Sequence, residues 1–272
     1  MAFLLNSVDL STYGITAGHY PGSNVALSGQ YSMPERMGKC FHEWAEADSV
    51  EPWVLASEIF FAGRNIIFHG SIIGTNSVIN AYLQVLYDAI NAFTGNVVLS
   101  TPYGSFTGYV KSVIPVHMNG GASLVITFRE PVVSLTGSIK QEATSAYTID
   151  SVPFSSYGLY LSNSKELHDL PELKDQEYTK YGAEGWQVVK RKNKTLELNG
   201  FVYADSLKHF ESDISALYAK FASAGTRSIK LDTTTVVCFA TKGFTVDNIF
   251  LFNNGMIANF RMSLVAISVT YS

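Results

Sequence analysis

The sequence of 272 residues predicts an α+β chain, mainly β, with two tandem antiparallel β-barrel or sandwich units, each with one packed α-helix. Three observations predict this fold. Landmarks in the first half recur in the same order in the second, each half has one amphipathic stretch with helical spacing, and the flanking stretches mix aromatic and β-branched residues with turn formers. Several strands and one helix per unit are typical of a sheet with a helix packed on one face.

An internal repeat gives the domain organisation. Its landmarks are Tyr13 and Gly14, matched by Tyr157 and Gly158, then Gly70 matched by Gly200, and Gly95 matched by Gly225. Matched residues stay between 144 and 130 positions apart and keep their order, which predicts one ancestral unit copied once. We therefore expect a first unit over 1–138 and a second over 139–272, joined in the Ser/Thr/Gly-containing stretch 134–145.

Each unit is predicted to begin with a strand that carries the Tyr-Gly pair. A long polar, loop-like stretch follows, at 16–50 in the first unit and 160–185 in the second. A second strand then ends near Gly70 or Gly200.

One amphipathic helix follows this strand in each unit. Apolar residues at helical spacing predict helices over 78–93 and 208–222. Gly95 and Gly225 suit the left-handed backbone that commonly ends a helix. Strand-like stretches complete the units, at 99–113 and 123–128 in the first and at 228–244 and 261–270 in the second.

Composition limits the classes of function. Charged residues make up only 15% of the chain and hydrophobic residues 47%, against about 25% charged in ordinary soluble domains. This excludes disorder and indicates that assembly covers much of the surface. A net charge of −4 disfavours a protein whose main partner is a nucleic-acid backbone. Since no apolar run reaches about 18 residues and no signal-peptide pattern opens the chain, we expect no membrane partner and synthesis in the cytoplasm.

No motif predicts catalysis, a cofactor or a metal. The sequence lacks a P-loop, a G-x-G-x-x-G, a G-x-S-x-G and an HExxH in a supporting context. Cys40 and Cys238 are far apart and belong to no CxxC or Cys/His cluster, which predicts two buried free thiols. We therefore expect no enzyme activity, no catalytic residue, no cofactor and no metal ligand. An enzyme with an unrecognised site is the alternative.

Tryptophans mark the candidate interface residues. His42, Trp44 and Trp53 lie in one polar segment of the first unit, and Trp186 follows the long stretch of the second. Trp is enriched at the buried centres of protein interfaces, whereas the carboxylates near His42 fit neither metalloprotease nor EF-hand spacing. We therefore predict that these four residues contact a partner. Two alternatives are a solvated loop and a carbohydrate-binding β-sandwich module in which the tryptophans stack on sugars.

The order of elements resembles that of a known domain. The Tyr-Gly corner, the long polar loop, the strand that ends in Gly, the amphipathic helix and the return to strands are similar to the tail-tube-like domain of tailed-phage proteins. Among these, the N-terminal domain of distal tail (Dit-like) proteins is the most similar. The resemblance is carried by 8–15 and 64–72 in the first unit and by 151–159 and 193–202 in the second. It covers nearly the whole chain.

The resemblance implies a structural protein of the phage tail, located in the virion and made in the host cytoplasm. In that family, sheets of neighbouring subunits line a ring-shaped lumen, the helix packs outside, and the long loop reaches over the adjacent subunit. Such a ring joins the tail tube to the distal tail tip or baseplate, and genomic DNA passes through it without sequence-specific binding. The implied partners are further copies of this chain, the tail tube protein, the tail hub or tip protein, and the tape measure protein.

The chain departs from the usual distal tail protein in one respect. It carries two tube-like units, rather than one unit followed by a carbohydrate-binding-like domain. Because a duplicated unit can close a pseudo-sixfold ring with three chains, both a trimeric and a hexameric ring are consistent with the sequence. A trimeric tail hub and a duplicated tail tube protein are therefore alternatives within the same class.

Overall fold

The structure is a computed structural model that describes residues 2–44, 47–48, 50–165, 169–174, 178–180, 183–185, 190–253 and 255–271. Within these residues the chain forms two eight-stranded sheets, two short hairpins and two α-helices of 16 residues each. The predicted class, α+β and mainly β with one helix per sheet, is confirmed.

The first sheet belongs to the first half of the chain. In chain order, the strands of this half are β1 (Leu4–Leu5), β2 (Val8–Asp9), β3 (Ile15–Ala17), β4 (Leu27–Ser28), β5 (Phe41–Glu43), β6 (Val50–Pro52), β7 (Arg64–Ile73), β8 (Val97–Thr101), β9 (Gly104–Met118) and β10 (Gly121–Glu130). Helix α1 (Asn76–Asn91) lies between β7 and β8. The strand order in the sheet is β2-β1-β8-β9-β10-β7-β3, with β4 also paired to β7, while β5 and β6 form a separate hairpin.

The second sheet belongs to the second half. Its strands and hairpin strands are β11 (Tyr147–Ile149), β12 (Val152–Pro153), β13 (Leu159–Lys165), β14 (Tyr178–Lys180), β15 (Ala183–Gly185), β16 (Lys194–Ala204), β17 (Arg227–Leu231), β18 (Thr234–Ala240), β19 (Thr245–Phe252) and β20 (Gly255–Tyr271). Helix α2 (Leu207–Ala222) lies between β16 and β17. The order is β12-β11-β17-β18-β20-β16-β13, with β19 also paired to β20, while β14 and β15 form a hairpin.

The two sheets repeat one arrangement, position for position. The register agrees as well, because Ala17 pairs with Gly70 in the first sheet and Leu161 pairs with Gly200 in the second. The landmarks Gly70 and Gly200 therefore occupy the same place in the two sheets. One difference is that the second sheet has the separate strands β18 and β19 where the first has the continuous strand β9.

Each Tyr-Gly pair ends a short 3-10 helix rather than lying within the opening strand, which corrects the prediction. The helices are Leu10–Tyr13 and Phe154–Tyr157. Gly14 and Gly158 follow them with φ of 67° and 63°, a left-handed backbone that glycine adopts without steric cost. The turn lets the chain reverse from β2 into β3, and from β12 into β13.

Both predicted helices form, and each begins and ends within two residues of its predicted bounds. The Ser206 hydroxyl caps α2 by accepting the N–H of His209 at 3.3 Å. Gly225 has a left-handed backbone, with φ of 87°, but it is not the helix stop, because α2 has already ended at Ala222 and the next residue, Ser223, is extended. The predicted stop is wrong at Gly95 as well. There α1 has already ended at Ala92, a right-handed residue whose N–H bonds to the last turn, so no left-handed residue is needed.

The helix of each half packs on one face of its sheet and closes a hydrophobic core. Leu86 of α1 and Leu217 of α2 are fully buried in these two cores. Both cysteines are buried, as predicted, and burial raises the pKa of the Cys238 thiol to about 12.

Candidate assembly interface

The long polar stretch of the first half lies across the second half of the chain. Val25, Tyr31 and Met33 of this stretch are buried in the second hydrophobic core. The Tyr31 ring meets the Phe210 ring of α2 edge-on, with the ring centres 5.1 Å apart. The first half therefore supplies part of the core of the second.

Hydrogen bonds attach the same stretch to β19 and to the turn before it. The Asn24 side chain donates to the Leu251 carbonyl at 2.6 Å and accepts the Leu251 N–H at 2.7 Å. The Ser32 hydroxyl accepts the N–H of Val246 at 3.0 Å. These bonds satisfy backbone groups of β19 much as a neighbouring strand would.

Arg64, at the start of β7, forms a buried ion pair within the first half and a hydrogen bond to α2. The Arg64 Nε donates to the Glu130 carboxylate at 2.7 Å, and each side chain is only 11% exposed. The Arg64 Nη1 donates to the Tyr218 hydroxyl at 2.7 Å, and the guanidinium lies 5.6 Å and 5.8 Å from the ring centres of Phe106 and Tyr218. Burial raises the pKa of Tyr218 to about 12 although Arg64 acts in the opposite direction, so the phenol stays protonated at neutral pH.

The connection between the two sheets runs along α2. The backbone of Gly137 lies against that of Ser215 and Ala216. The Lys140 Nζ pairs with the Asp213 carboxylate at 2.6 Å, with both side chains mostly buried. One face of α2 is thus covered by residues that precede the second sheet in the chain.

The hairpin of β5 and β6 carries the three predicted interface residues of the first half, with His42 and Trp44 in contact at one end and Trp53 at the other. The rings of His42 and Trp44 meet edge-on at 4.1 Å, and the Trp44 Nε1 donates to Glu51 at 3.3 Å. The Lys39 Nζ lies 5.3 Å from the centre of the half-buried Trp53 ring. Trp44 remains 53% exposed. Contact of these residues with another chain stays a prediction, and Trp186 lies outside the described residues.

The opposite side of this hairpin packs on the second sheet. Cys40 and Val50 form a small hydrophobic cluster with Phe239 of β18 and Val265 of β20. The Phe41 ring meets the Phe239 ring edge-on at 5.8 Å. The resemblance implied a loop that reaches over an adjacent subunit, whereas here the loop lies on the second half of its own chain.

The long polar stretches of the two halves also touch each other. The Lys174 Nζ donates to the Trp44 carbonyl at 2.7 Å. The Asp48 carboxylate accepts the Arg191 N–H at 2.8 Å and pairs with the Lys190 Nζ at 3.3 Å. The Arg191 N–H, with a smaller contribution from Lys190, holds the pKa of Asp48 below its ordinary value.

The residues that hold the halves together were not predicted from the sequence. Arg64 and Tyr218 are 154 positions apart, and Asn24 and Leu251 are 227 apart. No local spacing signals such pairs. The repeat marks Tyr218 as the counterpart of Tyr87 but gives no information on what either residue contacts.

The described residues contain no group of three or more His, Cys, Asp or Glu side chains that could hold a metal ion. Within the same ranges, neither helix is long and apolar enough to cross a membrane. The contacts assembled here are packing, hydrogen bonds and ion pairs that fix one half of the chain on the other.

No known protein family and no curated protein matches this chain. Among solved structures, the chain is similar to the SPP1 Dit protein (gp 19.1), described as a paradigm of the hub adsorption apparatus in phages that infect Gram-positive bacteria. The alignment covers 99% of this chain and 98% of that chain, with 10% sequence identity and a TM-score of 0.39. Likeness at this level does not establish a shared fold or a shared role.

Proposed function

We propose that this protein is a structural subunit of a phage tail that assembles into a closed ring. The observation that carries the proposal is the contact between the two halves, in which unlike surfaces meet. The long polar stretch and the start of β7 in the first half cover α2 and the second sheet. For example, Arg64 contacts Tyr218, and Tyr31 contacts Phe210. Repeated contacts between unlike surfaces produce rings when the rotation closes.

Two units per chain follow from the same proposal. We divide them at 1–138 and 139–272, because the two sheets share one strand order and one register. Three chains would then supply six units for one ring, and six chains would supply two stacked or concentric layers. A distal tail protein, a trimeric tail hub and a duplicated tail tube protein are the forms that this ring can take.

The sheet faces opposite the helices suit the lining of a DNA channel. Ser71 and Ser123 in the first sheet, and Asn199 and Ser263 in the second, alternate with core residues and therefore point away from the helices. These four side chains are uncharged, and the charged residues beside them on the second sheet, Glu197 and Arg261, are of opposite sign. A lumen through which DNA slides gains nothing from phosphate contacts, which bind DNA tightly and without sequence preference. The proposed role is therefore to join the tail tube to the tail tip or baseplate and to let DNA pass.

The test is a mass measurement of the native assembly combined with negative-stain images. We expect closed rings of three or six copies, bound at one face by the tail tube protein. A chain that stays monomeric at high concentration and in the assembled virion would contradict the proposal. Glycan binding by the monomer that Trp44→Ala abolishes would favour a carbohydrate-binding module instead.

A further inference from the structure

The two helices occupy equivalent places but differ in what covers them. Counted from the first residue of each helix, Val85 and Tyr87 of α1 correspond to Ala216 and Tyr218 of α2. Ala216 is 2% exposed and Tyr218 is buried, whereas Val85 is 53% exposed and Tyr87 is half-buried. These two positions lie on opposite sides of each helix. Both sides are covered on α2, whereas on α1 the Val85 side is open and Tyr87 is only partly buried against the first core.

The cover on α2 comes from outside the second sheet. Arg64 contacts Tyr218 from the start of β7, and the connection at Gly137 lies against Ala216. Both covering residues precede the second sheet in the chain. The described part of the chain places no equivalent segment over Val85 of α1.

The open face of α1 is more apolar than its counterpart. Val78, Tyr82 and Val85 are all exposed and follow one another at spacings of four and three, so they form one stripe along the helix. An apolar stripe on a helix is typical of a surface that packs against another element. On α2 the position that corresponds to Tyr82 is Asp213, which is paired with Lys140 of the connection.

We propose that α1, with this stripe on one side and Tyr87 on the other, is the surface on which the second unit of another copy of the chain docks. The inference rests on the proposed ring, because the contact between the two units within a chain serves as the template for the contact between chains. Continuing the same rotation places the second unit of one copy over α1 of the next. The occupant is therefore a second copy of this chain, joined head to tail.

The template also identifies the residue that faces Tyr87, on the side of α1 opposite the stripe. Arg64 and Lys194 are the first residues of β7 and β16, and each stands six positions before the matched glycine, Gly70 or Gly200. Since Arg64 contacts Tyr218 within the chain, Lys194 of one copy is expected to lie beside Tyr87 of the next. Within its own chain, the Lys194 Nζ donates to the Asp169 carbonyl at 3.0 Å. The proposed contact between copies therefore requires that Lys194 lie near Tyr87 and does not require a new ion pair.

Thiol cross-linking between two kinds of chain tests this geometry. Chains with Tyr87→Cys and chains with Lys194→Cys are co-assembled and treated with a bismaleimide, because residues whose long side chains meet at their ends are too far apart for a disulfide. We expect a covalent dimer from the mixture and none from either variant alone or from the wild type, whose own cysteines are buried. A dimer of Tyr87→Cys chains alone would show a two-fold contact through α1 and overturn the proposal, as would the absence of any cross-link.

A charge placed in the stripe tests the docking surface without affecting the core. Val85→Lys is expected to convert rings into monomers while the thermal unfolding midpoint of the monomer stays unchanged. The matched control is Ile139→Lys, at a position 98% exposed in the connection, which should still form rings. Rings that survive Val85→Lys would overturn this surface and leave the proposed function standing. A wild type that forms no rings would contradict the proposed function and this surface with it.

Discussion

The two hydrophobic cores are built unequally. The first core contains only residues between 3 and 128. The second core contains Val25, Tyr31 and Met33 of the first half in addition to its own residues. Removing the second half would leave the first core closed, whereas removing the first half would expose the second core to water. Two copies of one arrangement are therefore not two independent domains.

This inequality is the expected consequence of a contact between unlike surfaces. The first unit contributes its long polar stretch and the start of β7, and these pack on the helix and sheet of the second unit. In a closed ring every unit packs its long stretch on one neighbour and is covered by the long stretch of the other. A single chain leaves one surface of each kind without a neighbour. The second core therefore depends on residues of the neighbouring unit, whereas the first core does not.

The largest expected effect is on the isolated halves. A fragment over 1–138 should fold, while a fragment over 139–272 lacks three side chains that are buried in its core and should lose about 6 kcal/mol, at about 2 kcal/mol for each missing side chain. This loss is comparable to the whole stability of a typical domain. Near-ultraviolet circular dichroism and urea unfolding of both fragments provide the measurement. A sharp, cooperative transition in the second fragment would show that its core does not need the first half.

A buried charge in each helix sharpens the same comparison. Leu86 and Leu217 are both fully buried, so Leu86→Asp and Leu217→Asp should each cost more than about 4 kcal/mol. We expect Leu217→Asp to unfold the second half only and Leu86→Asp to unfold both, because the second half depends on the first. Hydrogen exchange resolved by half is the readout, with Lys194→Asp as a control that leaves folding intact. Equal damage from both variants would argue against the dependence.

Features that depend on nearby residues could be predicted from the sequence. The helices follow from apolar spacing within one segment, and the equivalence of Gly14 and Gly158 follows from a pattern repeated twice, although the 3-10 helices before them were not predicted. The sequence also placed His42, Trp44 and Trp53 in one segment, and local pairing of β5 with β6 puts all three on one hairpin, where His42 contacts Trp44. Their contact with another chain remains a prediction.

Features that depend on distant surfaces could not be predicted. The position of the first long stretch on the second half depends on how two folded sheets fit together, and residues as far apart as Asn24 and Leu251 carry no local signal of it. Gly95 illustrates the same limit at short range. Its position after the helix suggested a left-handed stop, but α1 ends earlier at Ala92, in the right-handed conformation.

An intermediate effect is expected from Arg64, which pairs with Glu130 in its own half and bonds to Tyr218 in the other. Arg64→Met leaves the Glu130 carboxylate, 11% exposed, without its charged partner, which should cost about 3 kcal/mol. The matched control is Arg129→Met, because Arg129 bonds to the Asn65 side chain at an exposed position and should contribute under about 0.5 kcal/mol. Urea unfolding of both variants compares them. Equal losses would mean that neither the pair with Glu130 nor the bond to Tyr218 stabilises the protein.

A smaller difference is expected between the two matched turns. Alanine at Gly14 or Gly158 is strained by about 1–2 kcal/mol, because both residues have a left-handed backbone. A Cβ at Gly158 would also approach the backbone oxygen of Tyr203 at 2.5 Å, whereas at Gly14 it would meet the exposed ring of Tyr82, which can move. Gly158→Ala should therefore destabilise the protein more than Gly14→Ala in thermal unfolding. The reverse order would mean that the Tyr82 ring is held as firmly as backbone.

The smallest expected effect is the pH dependence of the contact between the two long stretches. The Arg191 N–H, and secondarily Lys190, lower the pKa of Asp48 from its ordinary value of 3.8. A carboxyl group with a lowered pKa in the folded state contributes stability that is fully present above the ordinary value and is lost as the pH falls through the lowered one. The stretches should therefore separate only below about pH 4, and the effect should be small because Asp48 is exposed. The amide resonance of Arg191, followed by NMR during acid titration, should shift in the wild type and stay constant in Asp48→Asn. A titration midpoint above the ordinary value would show that neither the Arg191 N–H nor Lys190 stabilises the charged form of Asp48 in solution.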